Sequence, residues 1–201
     1  MIKAILFDVG EVLLSNPFEE VFQKIADKLK IEAGALNEFR LEYHQRLTTG
    51  RISVECFLTK LREKFNLDIK EEEIKKIWEE SYLEVRTLNQ ELLEIVKKLK
   101  KKYRVGLISN IYDFCAKINA ERGFGVAFEP AIMSYEVGLA KPEKEIFELA
   151  LKRLNLEADE CVFIDNKEKN LESPRKMGFK VFHFQNNAQL IDDFKRLGIE
   201  L

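Results

Sequence analysis

From residue 86 onward the chain alternates between helical and strand patterning. That alternation restricts the fold more than any other property of the sequence. Apolar runs predict strands at 103–108, near Ala131-Ile132-Met133, at 161–164 and at 179–183. Helical spacing predicts helices at about 89–101, 113–121, 143–154, 168–177 and 187–197. One more buried strand is expected at residues 3–7. Strands alternating with helices form a parallel sheet with helices on both faces.

Residues 16–85 break this rhythm and read as helix throughout, from a start near Ser15-Asn16-Pro17. Phe18, Val21, Phe22, Ile25, Ala26 and Leu29 recur at helical spacing, as do Leu36, Phe39, Tyr43 and Leu47. Ser53 suits an N-cap for a helix carrying Val54, Phe57, Leu58 and Leu61. Three glutamates open a helix over 71–85, where they favour the positive end of the helix dipole. The expectation is an α/β core of residues 1–15 and 86–201, with an all-helical insertion at 16–85.

A chain of 201 residues with 46% hydrophobic side chains can bury a full core and a small second unit. Lys and Arg total 33 and Asp and Glu total 35, a net charge of −2 that gives no reason to expect nucleic acid or an anionic membrane as partner. No stretch approaches the ~20 apolar residues of a membrane span. Met1-Ile2-Lys3 runs straight into the first strand, which predicts a cytoplasmic protein without a signal peptide. Cys56, Cys115 and Cys161 lack metal-ligand spacing and read as reduced, mostly buried thiols.

The chemistry is concentrated where strands end. The run Ile5-Leu6-Phe7 stops at Asp8, with Gly10 two residues on. The strand at 103–108 leads into Ser109-Asn110, the strand at 161–164 into Asp165-Asn166, and Lys141 stands in the loop sequence Leu139-Ala140-Lys141-Pro142. Open α/β sheets place their ligands at the carboxyl ends of strands. A carboxylate there serves as a nucleophile or as a ligand for a hard cation. Taken singly, each residue has an ordinary reading as a cap or a solvated loop residue. All four in this order are hard to obtain by chance.

On these motifs the sequence resembles the haloacid dehalogenase-like (HAD) superfamily over essentially its whole length. The carriers are Phe7-Asp8-Val9-Gly10, Leu107-Ile108-Ser109-Asn110, Ser134 through Pro142, and Phe163-Ile164-Asp165-Asn166 running on through Asn170 to Gly178. Within the superfamily it looks most like a small-capped subgroup with glycine two residues after the nucleophile, which includes α-D-glucose-1-phosphatase-like enzymes. The resemblance implies a Rossmann-like sheet of order 5-4-1-2-3 with the helical insertion as a cap over its carboxyl edge. It implies Asp8 as the nucleophile forming an aspartyl-phosphate, with Lys141 and Ser109 as the other catalytic groups. It implies Mg²⁺ held by Asp8, the Gly10 carbonyl and Asp165, with Asn166 as an outer partner. Asn110, Glu11 and Arg51 are the expected substrate-binding residues, and the expected partner is a small phosphorylated molecule, bound by a monomer or homodimer.

Gly10 stands where many relatives carry an acid that protonates the leaving group. General acid–base catalysis contributes typically ~10²–10⁴-fold in rate. Glu11, His44 or Glu42 could substitute, the leaving group could be acidic enough to need no help, or the protein could be a poor catalyst. A dehalogenase also tolerates Gly10, because halide leaves without a proton, but that branch usually lacks the carboxylate at Asp165. A catalytically quiet binding protein is the third reading.

Other features have plain readings. Lys97-Lys98-Leu99-Lys100-Lys101-Lys102 reads as a solvated helix end rather than a nucleic-acid patch. Gly123-Phe124-Gly125 reads as a turn, His183 as a packed residue, and Trp78 as core within the helical segment.

Overall fold

The computed structural model describes residues 1–15, 17–124 and 128–201. Asn16, within the expected start of the helical segment, and Gly125, within the expected turn, lie outside the described residues. Five strands form a parallel sheet: β1 (Ala4–Phe7), β4 (Arg104–Ser109), β5 (Ala131–Met133), β6 (Cys161–Asp165) and β7 (Lys180–His183). Their order is β5-β4-β1-β6-β7. The labels differ from the expected 5-4-1-2-3 because two short strands, β2 (Leu14–Ser15) and β3 (Thr87–Leu88), pair antiparallel in a separate ribbon. The sequence reading did not anticipate that ribbon, since two residues carry no periodicity.

Strand β1 is central and wholly buried, and its side chains alternate between the two faces. Ala4 and Leu6 join one apolar cluster with Ile108, Ile132, Phe147 and Phe163. Ile5 and Phe7 join the other, which continues into the helical segment through Phe22, Phe57 and Trp78. Gly106 lies opposite Leu6 on β4, where a Cβ would stand 2.5 Å from the Pro130 carbonyl oxygen. Only glycine permits that approach.

The helical segment consists of α1 (Phe18–Leu29), α2 (Ala33–Thr48), α3 (Val54–Lys64) and α4 (Glu71–Val85), with no strand among its described residues. The Glu32 side chain accepts from the Gly34 and Ala35 amides and caps α2, and Ser53 caps α3. Around the sheet lie α5 (Gln90–Leu99), α6 (Asp113–Glu121), α7 (Ser134–Val137), α8 (Lys144–Leu154), α9 (Glu168–Met177) and α10 (Asn187–Arg196). The one-turn helix α7 was not expected.

Two packing expectations need correction. Trp78 is not core for the helical segment alone: its ring meets Phe22 and Phe57 on one side and Tyr112 and Phe114 of the α/β part on the other. His183 is exposed, with Nε2 2.9 Å from the Asn166 carbonyl oxygen. Of the cysteines, Cys115 and Cys161 are buried and Cys56 is exposed. Among the described residues no helix is long and apolar enough to cross a membrane.

Candidate functional site

Parallel pairing of β1 with β4 and β6 sets Asp8 beside Ser109 and Asp165 at one edge of the sheet. The Asp8 amide donates to the Ile164 carbonyl at 2.8 Å, extending the ladder one residue past β1. After Asp8 the chain turns sharply, with the Val9 carbonyl accepting from the amides of Leu13 and Leu14 at 3.1 and 3.0 Å. Glu11 takes a left-handed backbone there (φ 60°), held by its amide's 2.7 Å bond to the Leu14 carbonyl. That conformation costs a non-glycine residue about 1–2 kcal/mol, and such strain gathers at functional sites.

Lys141 reaches between the two carboxylates. Its Nζ stands 2.6 Å from Asp8 Oδ1 and 2.7 Å from Asp165 Oδ2. Lys141 is 5% exposed, Asp8 7% and Asp165 0%, so this ionic cluster is almost entirely out of water. Asn170 Nδ2 also donates to both Asp165 oxygens, at 3.1 and 3.0 Å, and the Lys167 amide donates to Oδ1 at 2.8 Å. Lys141 is itself fixed by Asn110, whose amide group exchanges two 2.8 Å hydrogen bonds with the Lys141 backbone. The Lys141–Pro142 peptide is cis.

The electrostatics follow from burial. Desolvation pushes the Asp8 carboxyl up from the ordinary carboxylate range, and the Lys141 ammonium pulls it only part of the way back. Desolvation alone would lower Lys141, but the Asp8 and Asp165 carboxylates outweigh it and hold the ammonium above the ordinary lysine value. Two carboxyl groups thus share one ammonium in a site almost entirely out of water.

A cavity of about 620 Å³ opens over this cluster. Its wall includes Asp8, Gly10, Glu11, Ser109, Asn110 and Lys141 from the sheet edge. His44, Gln45 and Thr48 of α2 supply the opposite side. Asp165 lies beneath Lys141 rather than in the wall. Arg51, expected to bind substrate, is exposed and does not line the cavity. The left-handed turn at Gly50 (φ +66°) brings that backbone against Tyr135 of α7, and it is Thr48 from this stretch that faces the cavity.

Several contributors escaped the sequence reading. Asn170 holds Asp165; it stood within the motif that runs on to Gly178, with no role assigned to it. Ser134 is fully buried and its Oγ accepts from the Ile111 amide at 3.0 Å, shaping the loop after β4. Lys167 and Lys169 line the cavity, and Tyr112 bonds His44. Ser134 opens the motif Ser134 through Pro142 that carries the family resemblance, and nothing local in the sequence marks the other three.

The donor set has the character of a magnesium site. Among the described residues no three His, Cys, Asp or Glu side chains converge. A cation here would therefore be held by Asp8, Asp165 and a main-chain carbonyl with water, all oxygen, as Mg²⁺ prefers. Two carboxyl groups converging on one ammonium fit such an ion. So does Asn166 Oδ1, a buried oxygen beside Asp165 that accepts no hydrogen bond.

Comparison with known proteins agrees with this geometry. A sequence model of the haloacid dehalogenase-like hydrolase family matches residues 2–178. The chain is 26% identical over 200 residues to a D-ribitol-5-phosphate phosphatase of Bacteroides thetaiotaomicron, covering 94% of each chain. It superposes with a TM-score of 0.80 on a HAD family enzyme of Bacteroides thetaiotaomicron solved in complex with magnesium and inorganic phosphate, at 26% identity, covering 94% of this chain and 99% of that one. It is also 24% identical to bifunctional epoxide hydrolase 2 of Sus scrofa, of which it spans 40%.

Proposed function

The chain belongs to the haloacid dehalogenase-like hydrolase family, and on that premise we propose that it hydrolyses the phosphomonoester of a small metabolite through an aspartyl-phosphate at Asp8. The observation that carries this reading is the position of Lys141, within 2.7 Å of both Asp8 and Asp165 under an open cavity. A carboxylate nucleophile must approach a negatively charged phosphoryl group, so the site has to supply positive charge and donors. Lys141 supplies charge next to the attacking group. Ser109 and the Asn110 backbone hold phosphoryl oxygens.

The Asp8 carboxylate attacks phosphorus, the bond to the leaving oxygen breaks, and that oxygen takes up a proton from water in the open cavity. Water then attacks the same phosphorus, the bond to Asp8 breaks, and phosphate is released. Asp8, the Gly10 carbonyl and Asp165 would hold Mg²⁺, which would supply positive charge to the phosphoryl oxygens. Residues 16–85 act as the cap over a core of 1–15 and 86–201, and their α2 face supplies the substrate-side wall.

The ribitol phosphatase relative supports a phosphorylated polyol or sugar as substrate. A sugar 1-phosphate, as the α-D-glucose-1-phosphatase likeness suggests, is the other member of that class. The test is phosphate release from a panel of phosphomonoesters with and without Mg²⁺, including D-ribitol 5-phosphate and glucose 1-phosphate. Mg²⁺-dependent turnover of one or more supports the reading. No turnover across the panel contradicts it and favours a binding role, and chelator-resistant activity on 2-haloacids instead would establish a dehalogenase.

A further inference from the structure

His44 projects from α2 into the cavity wall, and its ring is tied to the other side of the molecule. Its Nδ1 lies 2.6 Å from the hydroxyl of Tyr112, which is 1% exposed and follows the loop after β4. Arg40, one turn earlier on α2, donates from Nη1 to the same Tyr112 oxygen at 3.5 Å. The direction of the His44 bond that satisfies both groups has Tyr112 donating, so that its proton has an acceptor and its oxygen stays open to Arg40. The Tyr112 oxygen already accepts from Arg40, and burial pushes its hydroxyl up to about 12, so it keeps its proton. Among the described residues His44 Nδ1 is the acceptor within reach of that proton. Nδ1 therefore accepts, and a neutral ring must carry its hydrogen on Nε2. Nε2 has no hydrogen-bond partner among the described residues, and His44 is exposed at the cavity wall.

We propose that His44 is a specificity-determining residue: Tyr112 locks it as the Nε2–H form, and it donates to a hydroxyl oxygen on the carbon skeleton of the phosphorylated substrate. The inference rests on the phosphatase reading and narrows it, since it gives hydroxylated phosphates, polyol or sugar, a binding contact that an aryl phosphate lacks. His44 lines the cavity from α2, and Lys141 and Ser109 line it from the sheet edge. A donor there meets the organic part of a substrate whose phosphoryl group sits at Asp8. The neutral form is favoured first by desolvation of the ring and then by Arg40, Lys167 and Lys169, which oppose a further positive charge. A buried tyrosine that fixes one tautomer gives a directional donor, and directional donors discriminate by hydroxyl placement.

The experiment compares kcat/KM on D-ribitol 5-phosphate and on p-nitrophenyl phosphate for the wild type, His44→Ala, His44→Gln and Tyr112→Phe, with the His44 tautomer read by long-range ¹H–¹⁵N spectra. The expected result is a fall in the ratio of the two kcat/KM values of at least about tenfold in His44→Ala, as one hydrogen bond carries. His44→Gln, which keeps an N–H donor, recovers part of it. The wild-type spectrum shows Nε2–H, and Tyr112→Phe gives a mixture of tautomers with a smaller fall in the ratio. An unchanged ratio in His44→Ala with p-nitrophenyl phosphate turnover intact, or an Nδ1–H wild-type ring, overturns the inference and leaves the phosphatase reading standing. Absence of turnover across the whole phosphomonoester panel in the wild type, these two substrates included, removes the phosphatase reading, and this inference with it.

Discussion

Asn110 and Lys141 are joined by a reciprocal pair of hydrogen bonds: Asn110 Nδ2 donates to the Lys141 carbonyl, and the Lys141 amide donates to Asn110 Oδ1, both at 2.8 Å. A side-chain amide here imitates one rung of a sheet. It ties the loop after β4 to the loop that carries the buried ammonium. Asn110 was expected to bind substrate, yet its oxygen and one N–H are spent on holding Lys141. Asn110→Ala is predicted to cost about 1–2 kcal/mol, the net worth of two such bonds, and to lower kcat more than it raises KM. Urea unfolding and steady-state kinetics check both.

Removing the ammonium leaves two buried carboxylates facing each other. Lys141→Met is predicted to destabilise the fold by about 3–5 kcal/mol in the absence of divalent cations. Adding Asp165→Asn to that variant is predicted to return part of the loss, because the two sites share one charge balance. A double-mutant cycle with purely additive costs would contradict the coupling.

Gly50 sits at a left-handed turn where a Cβ would stand 2.2 Å from the Tyr135 carbonyl oxygen. Gly50→Ala must shift either the end of α2 or α7. The predicted cost is about 1–3 kcal/mol, in the range of single-residue backbone effects, with weaker substrate binding because His44 and Thr48 ride on the same helix. Thermal unfolding together with KM measurements tests this, and a wild-type melting temperature would contradict it.

His44 carries the pH dependence that can be read most directly. Partial burial lowers it below its ordinary 6.5, and Arg40 on its own helix with Lys167 and Lys169 across the cavity lower it further. Tyr112 faces it through the hydrogen bond, and Glu11 and Glu19 line the same cavity. The folded state binds this proton less readily than the unfolded chain. The stability contributed by neutral His44 is therefore present above about pH 6.5 and lost as pH falls through the folded value. The stability advantage of wild type over His44→Gln is predicted to shrink between about pH 7.5 and pH 5. An advantage that grows on acidification would reverse the sign of the shift.

With glycine at position 10, no carboxylic acid stands two residues after Asp8. Rates on phosphomonoesters are predicted to rise steeply as leaving-group pKa falls. Glu11 lines the cavity, and its Oε2 accepts from Ser15 Oγ at 3.2 Å. A flat dependence in wild type that steepens in Glu11→Gln would identify Glu11 as the acid.

What the sequence revealed and what it hid have physical reasons. The apolar runs that became β1, β4 and β6 are short, continuous and bounded, so strand ends were legible to within one or two residues. Asp8 and Asp165 could be read because each ends or follows such a run, and Lys141 because its loop sequence matches a family motif. Tyr112, Ser134 and Lys169 act through contacts across the fold that leave no periodic trace. The ribbon of β2 and β3 is two residues deep and is fixed by tertiary hydrogen bonds, among them the Asn89 amide to the Leu13 carbonyl. Arg51 was misplaced because a left-handed turn decides which residue of Thr48-Thr49-Gly50-Arg51 meets the cavity, and residue type does not.

The claim on which all else depends is that Asp8 becomes covalently phosphorylated during turnover. An aspartyl-phosphate is reduced by borohydride to homoserine, so the direct measurement is to quench the enzyme during steady-state turnover with Mg²⁺, reduce it, and sequence the peptide spanning residues 4–24 by mass spectrometry. Homoserine at position 8, present only when substrate is supplied and absent from Asp8→Asn, is the predicted result. Undiminished turnover by Asp8→Asn, or turnover by the wild type with no trace of modification at Asp8, would contradict it.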